Sequence, residues 1–319
     1  MYLSNRGTAL VLAGGGGKGA YQIGVWKALR EYGVDRNITG ISGTSVGALN
    51  MVLFAQGDYG LAENLWKNIT SDEILKVDIK KIMLNLITTG IVKNSIYLSI
   101  LLKSMYGSGM FSREGLVEII ENNIDLYSIG NSDKNLFAAA YNMKSLSVDY
   151  LELNGRCDED IKKILLATSA LPIIFDKEEV DGNTYIDGGV KDNVPIKPLY
   201  DMGYRTFIVV HLSRDSMIDR EKFEGSNIIE IVPSDSQGDI ITGTLDFSRE
   251  GSDRRIEQGY KDAVKVLKPL YEMGMVQSKI SSTLVRMREE EKIFQEEKRK
   301  IHREREILKS ELEELLGKY

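Results

Sequence analysis

The chain has 319 residues, 42% of them hydrophobic, and a net charge of −6. That is enough for one large α/β domain, or one domain with an appendage, and the acidic balance excludes a global attraction to nucleic acid or anionic lipid. The one cysteine, Cys157, excludes an internal disulfide and gives no sign of an oxidising compartment.

No run approaches the ~18 uninterrupted apolar residues of a spanning helix. The apolar stretch Ala9–Ala13 runs straight into glycines, without the apolar core or cleavage site of a secretory leader. The expected setting is the cytoplasm, with membranes touched only from the surface.

Thr8–Ala13 predicts a buried strand that leads into Gly14–Gly19. Ala20–Tyr32 has helical periodicity, with Ile23, Trp26, Ala28, Leu29 and Tyr32 near one face and Gly33 as the stop. Ile38–Ile41 predicts a second strand, Ser42–Gly47 a tight turn, and Val46–Ala55 a helix. This β–loop–α–β–turn–α order argues for an α/β fold, with a mostly parallel sheet and helices on its faces. Residues 75–110, rich in Leu, Ile, Lys and Asn, predict two or so inserted helices. They either pack on the core or form a lid or membrane-facing cap over the site.

Ser112 predicts an N-cap for Glu114–Glu121. Strands follow at Leu136–Tyr141 and Val148–Leu153, then a helix over Glu159–Ala170 that stops at Pro172. Thr184–Ile186 predicts a strand ending in Asp187-Gly188-Gly189, and Phe207–His211 and Ile228–Val232 predict two buried strands. Ser252 predicts a cap for Asp253–Leu267.

The expected organisation is a main domain over residues 1–275 and a charged C-terminal helix over 276–319. In that helix Met287, Phe294, Ile301, Leu308 and Leu315 recur every seven residues. Glu291, Lys298 and Arg305 lie between them, and only Leu312 is apolar there, so half of a heptad seam is missing. Packing on its own domain, a homo-oligomeric coiled coil, and a partner- or membrane-surface helix all remain open.

Three local signals fit one chemistry. Gly43-Thr44-Ser45-Val46-Gly47 lies between a predicted strand and a predicted helix. A serine there sits on a sharp bend, its flanking glycines relieve crowding, and the helix N-terminus beside it favours developing negative charge. Gly14-Gly15-Gly16-Gly17-Lys18-Gly19 also follows a strand, and its backbone N–H groups can cradle an anion. In an acyl-hydrolase such donors form the oxyanion hole, each key donor contributing about 3–4 kcal/mol. The run also satisfies a dinucleotide fingerprint, but no acidic residue ends the second strand, since Asp35 precedes it. A phosphate loop is disfavoured because Gly19, not Ser or Thr, follows Lys18.

The third signal is Asp187-Gly188-Gly189, where an aspartate at a strand end can point into a site or simply make a turn. The chain has two histidines. His302 lies in the charged tail. His211 ends a predicted strand, and a Ser–Asp–His order with it stays open on spacing alone.

In this order the glycine loop, the Gly43–Gly47 elbow and Asp187-Gly188-Gly189 resemble the patatin-like phospholipase family. Ala167-Thr168-Ser169-Ala170-Leu171-Pro172 resembles that family's segment before its Asp-Gly motif. The resemblance covers roughly residues 8–212. It implies a three-layer α/β/α sandwich and a dyad without histidine, Ser45 as nucleophile and Asp187 as base. The Gly15, Gly16 and Gly17 backbone would form the oxyanion hole, with Gly14, Lys18, Gly19, Gly43, Gly47, Gly188 and Gly189 as supporting motif positions.

Expected substrates are acyl esters of phospholipids or lysophospholipids, with no cofactor, no catalytic metal and no nucleic acid. Peripheral membrane contact is the expected partner interaction. An aspartate near pKa 4 is a weak base for a hydroxyl, so such a dyad needs a desolvated site. The alternatives are a general esterase or thioesterase, a hydrolase switched on by oligomerisation through the tail, and a silent lipid-binding scaffold.

Overall fold

The structure is a computed structural model that describes residues 6–70, 114–172 and 175–316. The insertion expected at 75–110 and the Ser112 cap lie outside the described residues. One sheet is built from β1 (Thr8–Leu12), β2 (Ile38–Thr44), β3 (Asn135–Asn142), β4 (Ser147–Glu152), β5 (Glu178–Val180), β6 (Asn183–Asp187), β7 (Thr206–Val210) and β8 (Asn227–Ile231). The order across it is β5-β6-β3-β2-β1-β7-β8, and β4 pairs with β3. The pairs joining β3, β2, β1, β7 and β8 are parallel, while β4, β5 and β6 pair antiparallel.

β1 and β7 are apolar from their second residue on because both faces of the sheet are covered there. Leu10, Leu12, Ile208 and Val210 enter one core, and Ala9, Val11, Phe207 and Val209 the other. This is the two-residue alternation of a strand. The first core is shared with α1 (Ala20–Glu31), α2 (Val46–Gln56), α3 (Tyr59–Asn68), α4 (Glu114–Asn123), α5 (Leu126–Gly130) and α6 (Asp158–Thr168). The second is covered by α7 (Lys197–Asp201), through Leu199, and by Ile196 and Tyr204 beside it. The result is the expected α/β/α sandwich with a mostly parallel centre.

One detail of register positions the site. β4 occupies one edge of β3 over Phe137–Asn142. The opposite edge is shared: β2 pairs as far as Thr44↔Ala139, and β6 begins at Asp187↔Ala140. The C-terminal ends of β2 and β6 therefore meet at neighbouring residues of β3.

The last helix, α8 (Arg249–Leu316), is continuous, where the sequence predicts one helix ending at Leu267 and a separate one over 276–319. Pro269 lies within it. A proline removes one N–H bond at a cost of about 3 kcal/mol, which a helix of this length absorbs. Ser252 is not a cap but a buried helical residue whose N–H donates to the Ser248 carbonyl. The chain divides into two units, Met1–Leu267 and Lys268–Tyr319. In the second, every described side chain from Lys268 to Leu316 is exposed. Among the described residues no helix is long and apolar enough to cross a membrane.

The first turns of α8 lie directly on α1. A Cβ at Gly24 would stand 1.9 Å from the Ile256 carbonyl oxygen, and one at Gly259 would stand 2.0 Å from that of Tyr21. Backbone cannot rotate aside as a side chain can. Gly24→Ala is therefore expected to lower unfolding free energy in urea by about 1–3 kcal/mol. Gly60→Ala, at a helical position with room for the methyl group, is expected to be neutral or stabilising, because alanine is the better helix former by about 1 kcal/mol.

Candidate active site

Ser45 occupies the single residue between β2 and α2, with φ 55° and ψ −127°. A non-glycine residue held there stores about 1–3 kcal/mol and persists only where its surroundings impose it. The Thr168 hydroxyl does so from the C-terminal end of α6. It accepts the Ser45 N–H at 3.0 Å and donates to the Ala139 carbonyl at 2.5 Å. The Ser45 carbonyl accepts the N–H of Ala48 at 2.8 Å and so starts α2. Thr44 Oγ1 donates to the Asp192 carbonyl at 3.1 Å, which ties the elbow to the loop after β6. The turn closes tightly enough that a Cβ at Gly47 would meet the Leu12 carbonyl oxygen at 2.2 Å.

Asp187 ends β6 and is 2% exposed; Ser45 is 7% exposed. The Asp187 N–H donates to the Ala170 carbonyl at 2.9 Å, and its Oδ1 accepts the Gly189 N–H at 2.8 Å. Burial pushes the carboxyl up to about 6, while the Ser45 hydroxyl and the Gly189 N–H act the other way. Oδ2 is buried with no hydrogen-bond partner among the described residues. The Ser45 hydroxyl is the nearest polar side chain to act on this carboxylate, and it lowers the pKa that burial raises.

The glycine loop lies beside both residues. The Gly14 N–H donates to the Asn193 carbonyl at 3.3 Å, and Asn193 Nδ2 returns a bond to the Gly14 carbonyl at 3.1 Å. A Cβ at Gly14 would fall 3.3 Å from Ser45 Cβ. The Lys18 N–H is taken by the Gly15 carbonyl. The N–H groups of Gly15, Gly16 and Gly17 have no backbone acceptor among the described residues. Gly16 and Gly17 are glycines for a further reason: a Cβ on either would lie 2.2 Å from the carbonyl oxygen of Thr244 or Asp246, respectively.

Arg255 fixes that underlying segment. It is 1% exposed and donates to the carbonyls of Thr242 at 2.8 Å and Asp246 at 2.9 Å, and to Asp246 Oδ2 at 3.0 Å. Lys18 packs its stem on Gly243. Burial, and then Arg255, lower its pKa, with Asp239 opposing.

A cavity of about 90 Å³ opens at Ser45 and Gly16. Its walls are Val46, Leu49 and Leu53 of α2, Leu65 and Trp66 of α3, Leu116 and Ile120 of α4, and Leu171, Phe175 and Phe247. Among the described residues no group of three or more His, Cys, Asp or Glu side chains converges as a metal site.

The structure does not bring His211 to Ser45. Its Nε2 lies 3.0 Å from Glu230 Oε2 on β8, and Nδ1 is buried with no partner among the described residues. β1 stands between β7 and β2, a separation of about 10 Å at ordinary strand spacing. Burial lowers the His211 pKa against the opposing pull of Glu230. Thr168, Asn193 and Arg255 carry no role in the sequence-based expectations. Only Thr168 stood within a quoted motif segment.

Two outcomes follow from this geometry. Thr168→Val keeps the shape but strands the Ser45 N–H, so it should cost about 1–3 kcal/mol in denaturant unfolding, whereas Thr168→Ser keeps both bonds and most of the stability. For Asp187, a native pKa of about 6 against 3.8 in the unfolded chain means the native state holds the proton more tightly. Stability is therefore lost as pH rises from about 4 to 6, by up to about 3 kcal/mol. Asp187→Asn should be more stable than the parent at pH 8 and converge with it at pH 4. An equal difference at both pH values would contradict the assignment.

A family model described as patatin-like phospholipase matches residues 10–200, more than half of the chain. An uncharacterized NTE family protein of Mycobacterium tuberculosis H37Rv is 26% identical over 205 residues, covering 64% of this chain and 49% of that protein. A probable lipid hydrolase of Invertebrate iridescent virus 6 is 27% identical over 197 residues, covering 59% of this chain and 61% of its own. The chain thus spans about half the length of the mycobacterial relative. The crystal structure of VipD from Legionella pneumophila is 15% identical, covers 83% of this chain and 67% of its own, and superposes with a TM-score of 0.43. The extent of the family match is sufficient by itself: this chain belongs to the patatin-like phospholipase family.

Proposed function

We propose that this chain is a lipid acyl-hydrolase that cleaves carboxylic esters of phospholipids or lysophospholipids through an acyl-Ser45 intermediate. The observation that carries the proposal is the meeting of β2 and β6 on β3, which sets a strained serine beside a buried, half-satisfied aspartate at the head of an apolar cavity.

In the first half-reaction Ser45 Oγ attacks the ester carbonyl carbon while Asp187 takes its proton. The carbonyl oxygen gains the negative charge and is held by N–H groups of Gly15, Gly16 and Gly17, with the positive end of α2 beside it. The tetrahedral intermediate collapses, the C–O bond breaks, and the alcohol leaves with the proton from Asp187. In the second half-reaction Asp187 accepts a proton from water as the water oxygen attacks the acyl carbon. Ser45 regains its proton and the fatty acid departs.

The raised pKa of Asp187 makes it a better base than an exposed aspartate while leaving it ionised at neutral pH. The cavity walls suit a hydrocarbon chain and offer little to a polar head group, so the acyl chain is the part of the substrate placed there. Reaching such a substrate calls for peripheral contact with a lipid surface.

The test is product analysis by mass spectrometry on a phospholipid mixture. Free fatty acid should appear with the parent chain and vanish with Ser45→Ala. kcat/KM should rise with pH along a single ionisation near 6, because the base works only when ionised. His211→Ala should keep that limb. Loss of turnover in His211→Ala, with normal turnover in Asp187→Asn, would reassign the base.

A further inference from the structure

The part of α8 beyond Leu267 carries an exposed apolar row of its own. Leu284, Met287, Phe294, Ile301, Leu308 and Leu312 are 50–66% exposed. They are not scattered. Met287, Phe294, Ile301 and Leu308 fall at one heptad position, d, and Leu284 and Leu312 fall at the other, a. A row of large apolar side chains along one face of an exposed helix is what a partner helix buries.

We propose that this row is the seam of a parallel, in-register coiled coil between two copies of this chain. Charge decides the occupant. Between Lys268 and Leu316 eleven Lys and Arg residues balance eleven Glu residues. A net charge of zero gives the segment no pull toward an anionic bilayer, whose surface helices are rich in Lys and Arg.

A second copy fits the flanks of the seam. The g positions are Glu290, Glu297, Glu304 and Glu311, and the e positions are Arg288, Gln295, His302 and Lys309. In a parallel pair each g residue faces the next e residue of the other helix. Glu304 then meets Lys309 of the second copy, Glu297 meets His302, and Glu290 meets Gln295. An antiparallel pair would instead set glutamate against glutamate along the whole g edge.

The charged a positions agree with this orientation. Lys298 and Arg305 each follow a g glutamate, Glu297 and Glu304. In a parallel pair their stems lie along the seam and their head groups reach the carboxylates of the other helix. Glu291 has no such partner and lowers the stability of the pair. Polar residues at a positions cost stability but fix the register of two helices. The missing half of the apolar seam is therefore a specificity device of this pairing.

The full chain carrying Cys157→Ser, which removes its only thiol, provides the test. Sedimentation should give twice 35.8 kDa. Leu312→Cys in that background should form a disulfide-linked dimer with itself under mild oxidation. Phe294→Glu combined with Ile301→Glu should return the monomer and leave ester hydrolysis at the level of the Cys157→Ser parent. Each of four results would overturn the proposal. These are a monomer at every concentration, a dimer that survives the double glutamate substitution, and cross-linking only when Leu312→Cys and Met287→Cys chains are mixed, which marks an antiparallel pair. The fourth is a monomer that co-sediments with phosphatidylglycerol vesicles through this helix.

Discussion

The Thr168 hydroxyl joins two things that would otherwise drift apart, the Ser45 N–H and the Ala139 carbonyl. Ala139 is the last residue of β3 that pairs with β2, and its neighbour Ala140 is the first to face Asp187. One side chain thus pins the strained backbone of Ser45 to the point where the two site-bearing strands meet. The rest of the arrangement presupposes that bend: α2 starts from the Ser45 carbonyl, and Gly47 rests on the end of β1.

Asp187 is held by the opposite kind of constraint. Among the described residues no cation offsets its charge; burial raises its pKa, against the smaller pull of the Ser45 hydroxyl and the Gly189 N–H. A carboxylate kept dry, with one oxygen bound to the Gly189 N–H and the other unsatisfied, is a cost to folding. Such a cost at a strand end, beside a strained serine, is the pattern of a site in which local stability is given up for chemistry. In the proposed mechanism the same desolvation answers the difficulty that an ordinary aspartate is a weak base for a hydroxyl.

Around this pair lies a rigid surround. Asn193 stitches the glycine loop to the loop after β6 by two hydrogen bonds. Arg255, at the root of α8, clamps the Thr242–Asp246 segment on which Gly16 and Gly17 rest. The donors proposed for the oxyanion are thereby fixed from beneath by a buried cation and from the side by an amide. Preorganised donors of this kind do not have to reorient when charge develops.

Much of the fold was legible because its signals are local. The apolar runs at β1, β7 and β8, the helical stripe of α1, and the glycine-flanked Ser45 depend on neighbours a few residues away. So did the heptad of the last helix, although its continuity through Pro269 did not, since a proline is a stop in the local rule and a single lost bond in a long helix. The sequence alone determined where a nucleophilic serine can sit and which glycines can surround it. Only the tertiary structure decided what sits beside it. Asp187 reaches Ser45 because β2 and β6 share one edge of β3, and His211 is claimed by Glu230 across the β7–β8 pair. Thr168, Asn193 and Arg255 act through contacts between residues far apart in the chain. Such contacts are set by strand register and packing, which no short stretch of sequence encodes.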